Sequence, residues 1–115
     1  MKDDSTPEPL ELTEIEGLRQ AAECLKVLGH PIRLRIVEIL LQGQFPVHEI
    51  AEICDLPPHQ TCEHLRLLRN HGLLSSQRRG RAVYYEIVDP RLPRLMHCIR
   101  AACDPPDQPE QPNQP

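Results

Sequence analysis

Apolar side chains recur at intervals of three and four along most of the chain and alternate over one short stretch. Ile15, Leu18, Ala22, Leu25 and Leu28 line one stripe of a first helix that stops at Gly29. Pro31 suits the opening turn of a second helix, because its missing N–H would be unpaired there in any case. Ile32, Ile36, Ile39 and Leu40 run down one face of it to Gly43, with Leu34, Val37 and Leu41 beside them. A helix apolar on so many sides is expected at the centre. Val47, Ile50, Ala51 and Cys54 mark a short third helix, broken at Asp55-Leu56-Pro57-Pro58. The fourth helix runs from about Pro58 to His71, with Thr61, Leu65 and Leu68 inward and His59, Gln60, Glu63, Arg66 and Asn70 on its polar side.

A hairpin follows, with strands near Leu74–Arg78 and Ala82–Val88 and the turn at Arg79-Gly80. Val83, Tyr85 and Ile87 alternate with Tyr84 and Glu86, which predicts one buried face, and Gly80 supplies the positive φ of a tight turn. Leu92, Leu95, Met96, Ile99 and Cys103 form the stripe of a final helix. The fold class is therefore mainly α with a β-hairpin, in the order ααααββα. Two short helices joined by a tight turn, followed at once by an arginine-tipped hairpin, make a winged helix-turn-helix.

The 115 residues suit a single domain. Aromatic residues are 3% of the chain, so the core must be aliphatic. Seven of the 13 prolines lie in the two ends. Residues 1–9 read as a disordered acidic tail, residues 104–115 as a disordered proline-rich tail, and residues 10–103 as the folded domain. No run of 18 apolar residues occurs and the start lacks the apolar region of a secretory signal, so a cytoplasmic protein with no membrane partner is expected. Catalytic motifs are missing too: there is no glycine-rich phosphate loop, no Gly-x-Ser-x-Gly and no His-Glu-x-x-His, and an enzyme is not expected.

The net charge of −4 argues against a nucleic-acid partner until its distribution is considered. Both ends are acidic, whereas His59–Arg94 holds seven arginines against Glu63, Glu86 and Asp89. A basic block between acidic ends is the footprint of a surface that meets phosphates. A helix fits the major groove, where each base pair shows its own donors and acceptors, and a basic hairpin reaches the neighbouring backbone. The expected contacts to double-stranded DNA are His59, Gln60, Thr61, Glu63, His64, Arg66 and Arg69 from the fourth helix, and Arg78, Arg79 and Arg81 from the wing. Gln60 suits bidentate reading of adenine; His59 and His64 suit phosphates or base edges. Glu63 repels phosphate unless it accepts from a cytosine amine. The alternative is a winged helix used to bind another protein, without DNA.

Three separated runs carry a family resemblance: Leu28-Gly-His-Pro-Ile-Arg-Leu-Arg-Ile36, Glu63-His-Leu-Arg-Leu-Leu-Arg-Asn-His-Gly-Leu-Leu74 and Arg79-Gly-Arg-Ala-Val-Tyr-Tyr85. Over about Glu23–Arg100 the chain resembles the ArsR/SmtB family of bacterial metal-responsive repressors. The resemblance implies a homodimer joined by its outer helices, a reading helix over Pro57–Arg69, a palindromic operator, and release from DNA by an inducer. Two metal sites known in the family are incomplete in this chain. Val47-His48-Glu49-Ile50 has no cysteine where one site needs it, and Asp89 fits the other while Arg91, Ala102 and Pro105 fill its remaining positions.

What remains is thiols. The five cysteines include no Cys-x-x-Cys and read as free thiols, metal ligands or redox sensors. Cys24 on the first helix and Cys98 and Cys103 on the last are the candidate sensor thiols, soft ligands for a metal or metalloid ion or partners in a reversible disulfide. Cys98 and Cys103 with His97 are the candidate metal ligands. Cys54 and Cys62 read as core packing.

Overall fold

The computed structural model describes residues 9–103. Both predicted tails therefore lie outside the described residues, apart from Pro9. Five helices and three strands follow one another as α1 (Ile15–Leu28), α2 (Pro31–Leu40), β1 (Phe45–Pro46), α3 (Val47–Cys54), α4 (Pro58–Asn70), β2 (Leu74–Arg79), β3 (Ala82–Ile87) and α5 (Leu92–Cys103). The five helices and the hairpin fall where the pattern placed them. Strand β1 was not anticipated: its two residues pair with β3, Phe45 opposite Tyr85 and Pro46 opposite Tyr84, giving an antiparallel sheet in the order β1-β3-β2. Two residues carry no readable period, and Pro46 is tolerated because β1 is an edge strand. Among the described residues no helix is long and apolar enough to cross a membrane.

Helix α2 is central, as its pattern requires. Ile36, Val37, Ile39 and Leu40 are buried, and α1, α3, α4 and α5 all pack against it. His30 caps its start, Nδ1 accepting from the Ile32 N–H at 3.1 Å, with Pro31 in the first turn. The turn from α3 into α4 and the turn from α4 into β2 are made by two similar helix ends. At the end of α3 the Asp55 N–H bonds the Glu52 carbonyl and the Leu56 N–H bonds that of Ala51, with Asp55 left-handed at φ 56°. At the end of α4, Gly72 (φ 76°) donates to Arg69 and Leu73 to Leu68. Each is a Schellman motif, and in the second the apolar pair that accompanies it, Leu68 and Leu73, lies in the core.

The hairpin turn sits one residue later than predicted. Arg79 pairs with Ala82 as the last residue of β2, leaving Gly80-Arg81 as a two-residue loop. Gly80 has φ 62° and Arg81 is not among the positive-φ residues, the pattern in which only the first loop position needs glycine. The face of β3 predicted to be buried is only partly so, with Tyr85 in the core and Val83 and Ile87 half-buried. Helix α1 departs most from expectation. Its stripe is exposed, Ile15 at 66%, Leu18 at 49% and Leu25 at 56%, and only Val27 and Leu28 at its end enter the core.

Candidate nucleic-acid interface

Helix α4 owes its orientation to one buried stripe. Leu65 and Leu68 are fully buried against α2 and α3, each worth roughly 1.5–3 kcal/mol of apolar burial. That fixes the opposite side outward, and His59, Gln60, Glu63, Arg66 and Asn70 are all exposed. Pro57 and Pro58 start the helix without a side-chain cap, Pro58 taking the first-turn position where no N–H is missed. Thr61 must be removed from the candidate contacts. It is fully buried, and its hydroxyl donates to the Pro57 carbonyl at 3.2 Å, so it holds the helix start and reaches no base.

His64 is half-buried and turned toward α2. Its Nδ1 accepts from Arg33 Nε at 3.2 Å, and its ring lies 4.7 Å from that of His30. Arg33 in turn donates to the Val27 carbonyl at 2.9 Å. Burial, and then the neighbouring His30 and Arg33, hold the His64 pKa below its ordinary value. With Nδ1 accepting, the ring proton is assigned to Nε2, which makes no hydrogen bond among the described residues.

Strand alternation sorts the wing arginines. Arg78 lies opposite Val83 and Ser76 opposite Tyr85, on the face that turns toward the core. Arg69 of α4 donates to Ser76 Oγ at 3.3 Å, tying the end of the reading helix to that face. Arg79 lies on the other face with Gln77, Tyr84 and Glu86. Its guanidinium sits 4.8 Å above the Tyr84 ring and donates to Gln44 Oε1 at 2.5 Å. Arg66, Arg78 and Arg81 are exposed and make no side-chain hydrogen bond or ion pair among the described residues. Ser76, Arg33 and Gln44 were missed by the sequence reading, since each acts through a partner in another element of the fold.

The basic block is not all one surface. Arg91 and Arg94 belong to the α5 region, and Arg91 is paired with Asp89 through Nε at 3.0 Å and Nη2 at 2.6 Å. These bonds hold the Asp89 carboxyl below its usual pKa.

The candidate thiols do not converge within one chain. Cys24 is half-buried beside a cavity of about 400 Å³ that Glu23, His71 and Arg91 also line. Cys103 is exposed at a groove of about 280 Å³ between α2 and α5, with Arg35, Glu38 and Arg100. His97 lines a different hollow with Leu41 and Pro93, and Cys98 is exposed. Among the described residues no three of His, Cys, Asp and Glu gather as a metal site, so His97, Cys98 and Cys103 do not form one within the single chain. Five positions separate Cys98 from Cys103, which turns them about 140° apart on a regular helix. Burial pushes the Cys54 thiol pKa up, in keeping with its packing against the core.

Residues 30–76 match the model of the family described as bacterial regulatory protein, arsR family. The transcriptional repressor PagR of Bacillus anthracis is 35% identical over 80 residues, covering 69% of this chain and 80% of PagR. The chain belongs to the ArsR family. The repressor SmtB of Mycobacterium tuberculosis is 33% identical over 81 residues, 70% of this chain, and the match spans 60% of that repressor's length. Among solved structures, the homodimeric winged helix-turn-helix DNA-binding domain of a Mycobacterium bovis protein superposes with a TM-score of 0.69 at 28% identity, covering 76% of this chain and 82% of that one. Fold and family agree with the reading of the residues as a winged helix-turn-helix of this family.

Proposed function

We propose that the protein acts in the cytoplasm as a homodimer that binds a palindromic DNA operator, represses transcription, and lets go when an inducer binds. Each subunit lays α4 in the major groove, with His59, Gln60, Glu63 and Arg66 toward base edges and phosphates. Arg69, Arg78, Arg79 and Arg81 take the flanking backbone. The observation that carries this reading is the joint between α4 and the wing. The Arg69–Ser76 bond couples a helix whose outer side is entirely polar to a hairpin tipped with arginines. The wet stripe of α1, with Leu10 and Leu12 before it, is the surface a second copy would cover.

The inducer is a metal, a metalloid or a thiol-reactive species acting on Cys24, Cys98 and Cys103. Since these lie apart in one chain, a shared site needs ligands from both copies.

A titration of labelled duplex against salt tests the DNA reading, because neutralised phosphates release counterions and binding must weaken steeply as salt rises. A flat or absent signal favours the protein-partner alternative. Half-sites are expected about 34–36 Å apart, or a multiple of that. Gln60→Ala should relax preference at one base pair by about 1–3 kcal/mol, whereas Arg79→Ala should weaken all sequences alike. Equal, sequence-independent losses in both variants would sink the assignment of base reading to Gln60. Joint replacement of Cys98 and Cys103 by Ser should leave DNA binding intact and abolish release by arsenite or by a disulfide-forming oxidant; normal release removes the thiol sensor.

A further inference from the structure

Arg79 is held from three sides. Tyr84 lies under its guanidinium face at 4.8 Å, Gln44 Oε1 accepts from Nη2 at 2.5 Å, and Gln77 Oε1 accepts from the same nitrogen at 3.4 Å. Gln44 immediately precedes β1, whose pairing with β3 continues toward Glu86. Its amide Nε2 donates to Glu86 Oε1. That bond decides which end of the amide faces Arg79, since a carboxylate accepts only from the NH₂ end and leaves the carbonyl for the arginine.

The chemistry of the holders is neutral on one side of Gln44 and anionic on the other. Both oxygens that meet Arg79 are amide carbonyls, and among the described residues Arg79 makes no ion pair. The carboxylate of Glu86 is occupied by Gln44 and kept one side chain away. No carboxylate among the described residues offsets the charge of Arg79 by direct pairing. The ring contact uses only the guanidinium face and both amide carbonyls meet Nη2, so the N–H groups of Nε and Nη1 have no partner among the described residues and are left to donate to phosphate oxygens. A long exposed side chain fixed before binding loses less rotamer freedom when it binds.

We infer that Gln44 is a positioning residue that orients Arg79 on Tyr84 for contact with a duplex phosphate, with Glu86 setting the orientation of the Gln44 amide. This rests on the DNA-binding reading. It assigns to the loop between α2 and β1, outside both the reading helix and the wing, a part in DNA affinity.

The test uses the full chain and a fluorescein-labelled mixed-sequence duplex of about 30 base pairs, since a phosphate contact is independent of sequence. Dissociation constants are measured by anisotropy over a range of salt. Arg79→Ala should raise Kd roughly 3–10-fold and reduce the log–log salt slope by about 0.9, one phosphate fewer. Gln44→Ala should raise Kd roughly 2–5-fold with the slope nearly kept, and have no effect once Arg79 is Ala, as coupled residues do in a double-mutant cycle. Gln44→Glu should be worse than Gln44→Ala and reduce the slope, because a carboxylate then pairs with Arg79. Tyr84→Phe should bind like the parent and Tyr84→Leu like Gln44→Ala. The inference is overturned if Gln44→Ala costs the same with and without Arg79, costs nothing, or tightens binding. In each of those cases salt-dependent binding by the parent leaves the DNA reading standing. A parent that shows no salt-dependent binding overturns both.

Discussion

Helices α1 and α4 are both amphipathic and of similar length, 14 and 13 residues, yet the stripe of α4 is dry and that of α1 is wet. Thr61, Leu65 and Leu68 are sealed between α2, α3 and β2, whereas Ile15, Leu18 and Leu25 face solvent in the single chain. Periodicity reports that a helix has an apolar side; it does not report whether the same chain or another copy covers it. The two helices thereby divide the work of the proposed repressor. One uses its apolar side to stand firmly on the core and offers its polar side to DNA. The other keeps its apolar side for a partner.

The sharpest way to break this comparison is Leu68→Ala. Truncating a fully buried leucine should cost about 3–5 kcal/mol of unfolding free energy in urea denaturation, and less than 1 kcal/mol would mean that the α4 stripe is not the anchor described. Next in size is Leu18→Asp. A charge placed in an apolar dimer interface should weaken association by about 3 kcal/mol, roughly two decades in dimer Kd, while the circular dichroism of the protomer is kept. Sedimentation equilibrium checks it, and an unchanged dimer places the interface elsewhere.

A smaller effect comes from His64. Its folded pKa is below its unfolded one, so the unfolded chain binds more protons in the interval between them. Stability is therefore full above about pH 6.5 and falls as pH drops through the folded pKa. His64→Gln should flatten that acid limb in thermal unfolding between about pH 7.5 and pH 5; an unaltered limb would exonerate His64. The smallest effect is expected of Asp55→Gly, where removing the Cβ from a left-handed position should stabilise the α3–α4 turn by up to about 1 kcal/mol. A loss of stability there would show that the Asp55 side chain supports the turn.

Much of the candidate interface could be read from residues because it is local. The polar side of α4 follows from where Leu65 and Leu68 fall, and the arginine tip follows from its place beside Gly80. Thr61 misled because a polar residue on an apolar stripe can either face out or bond its own backbone; its hydroxyl found the Pro57 carbonyl four residues back. Arg91 misled because a count of charges ignores pairing, and Asp89 lies two positions away. Gln44 and Arg79 stand 35 positions apart, and no period links them.

The order of the five helices and the hairpin, the aliphatic core and the basic stretch after Pro58 were all determined by the chain on its own, since helix stripes and strand alternation arise between near neighbours. Only the tertiary structure decided which apolar stripe stays wet, which arginines share a face of the wing, and that the loop before β1 braces Arg79. Those outcomes depend on segments meeting across long sequence separations, where packing and pairing choose among partners that local spacing leaves equivalent.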